Sequence, residues 1–224
     1  EAFIAHEFDL NNSTRNSGCS PMTFIRLGTS GGVQPDISPG TLAIASYAVG
    51  LDSTGVYYDQ PPEDEIVKRI EAATEEILTE DTPNTSRFKG KIIPYASKAS
   101  AEVTDALVNQ ATNHNVAFEV GITVSSPGFY GPSSRFVDGL KNTLPNIKGS
   151  LSKLNIDGLK VLNMEMESSL LFHLCSQMGY RAGTICTVIS APTKSDKIID
   201  YDAAIKNTIN IGLKALVELN ETNK

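Results

Sequence analysis

The chain has 224 residues, 40% hydrophobic and 20% charged, which suits one globular domain with a substantial core and excludes disorder throughout. A formal net charge of -7 and the lack of any basic run exclude a surface that holds nucleic acid by its phosphates. With no signal-type start, no apolar run of membrane-spanning length, and three cysteines (Cys19, Cys175, Cys186) without metal-ligand spacing, the expectation is a soluble, cytoplasmic protein with reduced thiols and no membrane partner.

Residues 1–9 (EAFIAHEFD) allow a first helix, and 11–21 (NNSTRNSGCSP) are polar and turn-rich where an α/β fold would need core strands. Segments rich in β-branched residues predict strands at 23–28 (TFIRLG), 41–49, 91–95 (KIIPY), 117–125, 159–163 and 182–189, with helices between them. From Glu63, the residues Ile66, Ile70, Ala73 and Ile77 mark one helical face, and near the end Ile205, Ile209, Leu213 and Leu216 do the same. Both read as surface helices covering a sheet. Residues 80–88 (EDTPNTSRF) predict a surface loop, and the helix starting near Met166, with Leu170, Leu171, Phe172, Leu174 and Cys175, is expected to be buried. Strand and helix signals alternate over 1–224, which predicts a single α/β domain.

Three stretches could carry chemistry. FIRLGTSGG (24–32) predicts a strand ending in a glycine turn, where backbone N–H groups, the Thr29 and Ser30 hydroxyls and Arg26 could cradle an anion. Its glycine spacing is not that of the dinucleotide fingerprint, and a plain tight turn is the competing reading. An arginine inside an apolar strand argues for an anionic partner. SSPGFYGPSSR (125–135) presents Phe129 and Tyr130, which could stack on a flat base, and Arg135, which could donate to carbonyl oxygens; an aromatic pinning a turn to the core is the plainer alternative. LNMEMESS (162–169) sets Glu165 and Glu167 two residues apart. In a continuing strand they face one pocket, where a carboxylate could accept from the vicinal diol of a ribose; in a helix starting at Met166, Glu167 is a capping acid. His6, His114 and His173 have no partner spacing that suggests a metal, and no nucleophile elbow is present.

FIRLGTSGG, FYGPSSR and NMEMESS, in this order, resemble the nucleoside phosphorylase family that includes uridine phosphorylases, from about residue 23 to the C-terminus. The resemblance implies a mixed, twisted central sheet flanked by helices and reversible cleavage of a nucleoside to free base and ribose 1-phosphate. It implies inorganic phosphate as co-substrate, no metal or other cofactor, and a homo-oligomer in which each site borrows residues from a neighbouring subunit. It also implies that Arg26 and Thr29 contact phosphate, with Gly28 shaping the turn, that Met166 and Glu167 contact ribose with Glu165 beside them, and that Phe129 and Arg135 belong to the base pocket. Arg26 and Glu167 are thereby the expected catalytic pair.

Purine-cleaving relatives carry an aspartate after the strand matching 184–189, whereas CTVISAPTK has no acid before Asp196, as in the pyrimidine branch. The family's base-reading glutamine is Ser133 here, and its Asn-Arg pair after the last strand is Ala191 and Pro192. A hydroxyl cannot supply the paired donor and acceptor of an amide. Altered base preference is therefore one alternative to uridine, and loss of turnover with retained ligand or subunit binding is another. EAFIAHEFD resembles the helix after the family's first strand and its Gly-Asp-Pro-x-Arg phosphate loop, which this sequence does not contain; an incomplete record and a short natural form are both open, and nothing local makes Arg15 a substitute.

Overall fold

The computed structural model describes residues 7–9, 11–16, 21–191 and 200–221. The expectations for His6, Cys19, Pro192 and Asp196 lie outside the described residues. The polar stretch after residue 9 begins as a hairpin: β1 (Phe8–Asp9) pairs antiparallel with β2 (Thr14–Arg15), and Asp9 Oδ1 accepts from the Asn11 N–H at 2.9 Å. Arg15 donates to the Met178 carbonyl at 2.7 Å and lies 5.1 Å from the centre of the Tyr180 ring, whose hydroxyl donates to Glu7. Arg15 thus pins the hairpin to the body.

The main sheet is built from β3 (Thr23–Gly32), β4 (Leu42–Gly50), β5 (Tyr95–Lys98), β6 (Phe118–Ser125), β7 (Asn155–Ile156), β8 (Leu159–Glu165) and β9 (Arg181–Ser190). Its order is β3-β9-β4-β6-β8-β7, with β5 on β4. Parallel pairs (β3 with β9, β4 with β6, β6 with β8) mix with antiparallel ones, as the family resemblance implies. The sheet also closes on itself, because the last residues of β3 pair antiparallel with β8, Gly31 opposite Met164 and Gly32 opposite Asn163.

Strand β4 (LAIASYAVG) is buried almost throughout, which its continuous apolar run requires once helices cover it. Around the sheet lie α1 (Glu65–Asp81), α2 (Ala101–Asn113), the single-turn α3 (Ile147–Leu151), α4 (Ser168–Met178) and α5 (Tyr201–Glu221). Asp64 caps α1 by accepting from the Val67 N–H at 3.0 Å, and Gly179, at φ +68°, ends α4 in the left-handed conformation that costs glycine little. Val67, Ile70 and Leu78 of α1 join Val49, Val124, Ile147 and Val161 in one core cluster, and α2 and α5 pack Val103, Leu107, Ile211 and Ala215 on Leu42, Ile44 and Ile185 in another.

Five sequence expectations change. The first helix expected over residues 1–9 does not hold at Phe8–Asp9, which are strand β1 because Thr14–Arg15 supply a backbone partner. The strand expected at 91–95 is Tyr95–Lys98, because Pro94 has no N–H to give a ladder and pairing starts after it. The strand expected to stop at Gly28 runs to Gly32, with a bulge between Ser30 and Gly31, so TSGG is strand and not turn. The helix expected from Met166 starts at Ser168, with Phe172 and His173 buried as expected and Leu170, Leu171 and Leu174 half-buried. On α5 the inward face is Ala204, Thr208, Ile211, Gly212, Ala215 and Leu219, whereas Ile209, Leu213 and Leu216 are exposed. Close approach decides this last case: a Cβ on Gly212 would lie 2.2 Å from Leu27 Cδ2, so the helix face nearest β3 must be small.

Candidate functional site

Closure of β3 onto β8 brings FIRLGTSGG beside NMEMESS, and the loop after β6 arches over both. Between them lies a cavity of about 450 Å³, lined by Arg26, Thr29, Ser30, Phe129, Ser133 and Arg135, by Glu165, Met166 and Glu167, and by Lys148 and Ser190. Of the side chains singled out in the sequence as candidate contacts, Arg26, Thr29, Ser30, Phe129, Ser133, Arg135, Glu165, Met166 and Glu167 are on its wall, whereas Tyr130 is not and stands exposed beside Phe129. Gly28 is not a turn residue: it lies within β3, and a Cβ there would sit 2.5 Å from Arg26 Nη1, so its role is to make room for the guanidinium. Arg15 is not on the wall.

Arg26 is the hub. Its Nη2 donates to Glu167, its Nε lies 3.2 Å from Glu165 Oε2, and its Nη1 contacts Cys186 Sγ at 2.9 Å. Burial pushes the Cys186 thiol up to about 12, so at neutral pH it is a neutral neighbour of the arginine. Ser30 Oγ, on the same strand, is buried with no hydrogen-bond partner among the described residues.

The two glutamates divide their work in a way the sequence did not reveal. Glu165 ends β8 with its side chain 1% exposed; it accepts from Ser125 Oγ at 2.5 Å, from the Glu167 N–H at 3.0 Å and from the Ser168 N–H at 3.1 Å. It is therefore the acid that satisfies the N-terminus of α4. Glu167 occupies the cap position but makes no side-chain cap bond; its side chain is 57% exposed and turns into the cavity toward Arg26. Met166, also exposed, stands between them on the cavity wall.

At the other end, the Arg135 guanidinium lies over the Phe129 ring, 3.8 Å from its centre, and Phe129 meets Tyr130 edge to face. Arg135 Nε is buried without a hydrogen-bond partner among the described residues. Ser133 donates to the Gly128 carbonyl at 3.0 Å, which closes the loop on itself. Sequence reasoning missed Lys148 and Ser190. Lys148 is brought in by α3, and no local pattern around it distinguishes it from a surface lysine.

A profile of the phosphorylase superfamily matches residues 5–218. The uridine phosphorylase of Haemophilus influenzae is 32% identical over 186 residues, covering 83% of this chain and 60% of that protein; the uridine phosphorylase of Escherichia coli is 27% identical over 196 residues, covering 88% and 63%. The chain thus spans somewhat under two thirds of the length of these relatives. Among solved structures, a Trypanosoma brucei nucleoside phosphorylase described as showing uridine phosphorylase activity superposes with a TM-score of 0.77 and 28% identity, covering 95% of this chain and 72% of that one. The fold, the arrangement of the three motifs around one cavity and these matches agree: the chain belongs to the phosphorylase superfamily, as a nucleoside phosphorylase family member similar to the uridine phosphorylases.

Proposed function

We propose that the protein cleaves uridine with inorganic phosphate to uracil and ribose 1-phosphate, as a cytoplasmic, homo-oligomeric salvage enzyme that needs no metal. The observation that carries this reading is one cavity whose wall holds Arg26 paired with Glu167 and, with them, the stacked Phe129–Arg135 pair, a set of groups suited to phosphate, sugar and base. Arg26, Thr29 and the unpartnered Ser30 hydroxyl offer donors to phosphate. Exposed Glu167 accepts from the ribose hydroxyls, with Met166 against the sugar. Phe129 stacks on the base and Arg135 donates to its carbonyls. Phosphate then attacks the anomeric carbon as the glycosidic bond loosens toward an oxocarbenium-like state, and the departing base carries the electron pair.

A change of base preference is favoured by one observation, that the Ser133 hydroxyl is committed to the loop and cannot stand in for an amide. The test is release of uracil from uridine by purified protein, with inosine and thymidine in parallel and with phosphate, arsenate or neither. Release that needs phosphate or arsenate and is fastest from uridine supports the reading; release from none of the nucleosides by folded protein refutes it.

A further inference from the structure

The cavity holds one cation that the family resemblance does not assign. Lys148 is the second residue of α3, and its helix is anchored by Ile147 and Leu151, both fully buried, so the lysine is held against the cavity wall. Gly31 leaves the space for it: a Cβ there would lie 3.3 Å from Lys148 Nζ and 3.3 Å from Ser190 Oγ. Burial, and then the nearby charge of Arg135, hold the Lys148 pKa below the usual lysine value. Among the described residues neither Lys148 nor Arg135 forms an ion pair with a carboxylate, and both cavity glutamates are already engaged with Arg26. Two like charges converging without an internal counter-ion favour a ligand that brings negative charge to that point. The two are also mechanically linked, because Ser134 Oγ accepts from the Ile147 N–H at 3.0 Å and donates to the Leu144 carbonyl at 2.7 Å, tying the base loop to the start of α3.

We propose that Lys148 is a catalytic residue at the base end of the cavity, where its ammonium donates a hydrogen bond to a carbonyl oxygen of the departing base beside Arg135. This rests on the phosphorolysis reading and deepens it by naming what reads the base where Ser133 does not. As the C–N bond breaks, its electron pair passes to the base nitrogen and is shared with the ring carbonyls, and Lys148 stabilises that charge. A phosphate oxygen forms the new bond to the anomeric carbon, and the proton of hydrogen phosphate balances the one the base finally takes up. Arg135 and Lys148, which can only donate, favour bases with carbonyl edges over those with exocyclic amines at that point.

The test compares wild type, Lys148→Met, Lys148→Gln and Lys148→Arg on uridine and on 5-fluorouridine, whose base is the more acidic leaving group, with phosphate saturating and then varied. Lys148→Met should lower kcat on uridine about 10²-fold, as removal of one preorganised donor does, and the loss on 5-fluorouridine should be at least about fivefold smaller. Lys148→Arg should recover part of kcat, and the phosphate KM should move less than about threefold. Equal losses on both nucleosides overturn the proposal, as does a raised phosphate KM with kcat intact, which would make Lys148 a phosphate ligand. If Lys148→Met fails to melt cooperatively, the same comparison with Lys148→Gln decides. Wild-type protein that releases no base from any nucleoside refutes the phosphorolysis reading itself, whereas normal wild-type turnover with leaving-group-independent variants refutes this inference alone.

Discussion

Exchanging each glutamate for glutamine tests, in a single experiment, the proposed division between a structural carboxylate and a ligand-binding one. Glu165 is buried and accepts from Ser125 Oγ, two backbone N–H groups and Arg26. Glu165→Gln removes the charge and turns one acceptor into a donor. Hydrogen bonds to a charged group are worth about 1.5–3 kcal/mol each, and the amide retains part of the network, so the expected loss of stability is about 2–4 kcal/mol. For a chain of this size that lowers Tm by roughly 5–15 °C. Glu167, with its side chain 57% exposed, holds Arg26 in a solvent-screened pair, so Glu167→Gln should cost less than about 1 kcal/mol of folding free energy. It should instead raise the uridine KM roughly 10- to 150-fold, the equivalent of one charge-assisted contact to the sugar. Thermal melts and steady-state kinetics on both variants read the two effects independently. A Glu167→Gln protein that melts as low as Glu165→Gln and keeps its uridine KM would refute the division of labour.

Other perturbations test other parts of the site and fold. Gly28→Ala places a methyl 2.5 Å from Arg26 Nη1 and should displace the guanidinium, raising the phosphate KM about tenfold or more while Tm changes little; an unchanged KM would show that Arg26 repositions freely. Gly212→Val sets its Cβ 2.2 Å from Leu27 Cδ2, and urea denaturation should show a loss of about 1–3 kcal/mol, with no loss if α5 shifts outward without cost. Burial raises the Cys186 pKa from 9.0 to about 12, so the unfolded chain loses this proton first. The contribution to stability is complete below pH 9 and is lost as pH rises toward 12, and the urea midpoint should fall above pH 9 more steeply in wild type than in Cys186→Ala. Equal slopes would remove Cys186 as the cause.

The strands and helices were legible where apolar periodicity survives tertiary contact, as in residues 117–125 and in the Ile66–Ile77 stripe, of which Ile70 is buried and Ile66, Ala73 and Ile77 pack half-buried against the core while Val67, Thr74 and Leu78 complete the inward face. What failed did so where a neighbour overruled local preference. TSGG has the composition of a turn, yet β9 and β8 supply partners for its backbone, and residues without side chains let those partners come close. The stripe Ile209, Leu213 and Leu216 has the right period for a buried face, but closeness to Leu27 turned small residues inward instead. At the site, the motif residues were readable because chemistry-bearing side chains cluster in the sequence. The exchange of roles between Glu165 and Glu167 was not, since it depends on where β8 ends and α4 begins. Lys148 could not be read at all, because only the packing of Ile147 and Leu151 brings it to the cavity.

Closure of β3 onto β8 also bears on how the protein behaves in concentrated solution. An open sheet of this size would present two long rows of unpaired N–H and C=O groups, templates on which another chain could add. In the closed sheet the long strands β3, β4, β6, β8 and β9 form a ring, and among the described residues this sheet has outside the ring the four-residue β5 and the two-residue β7. Such short segments, one ending in Lys98 and the other followed by a charged turn at Asp157, give little length for intermolecular strand addition. The pairing of Gly31 and Gly32 with Asn163 and Met164 that assembles the cavity therefore also protects the sheet from aggregation.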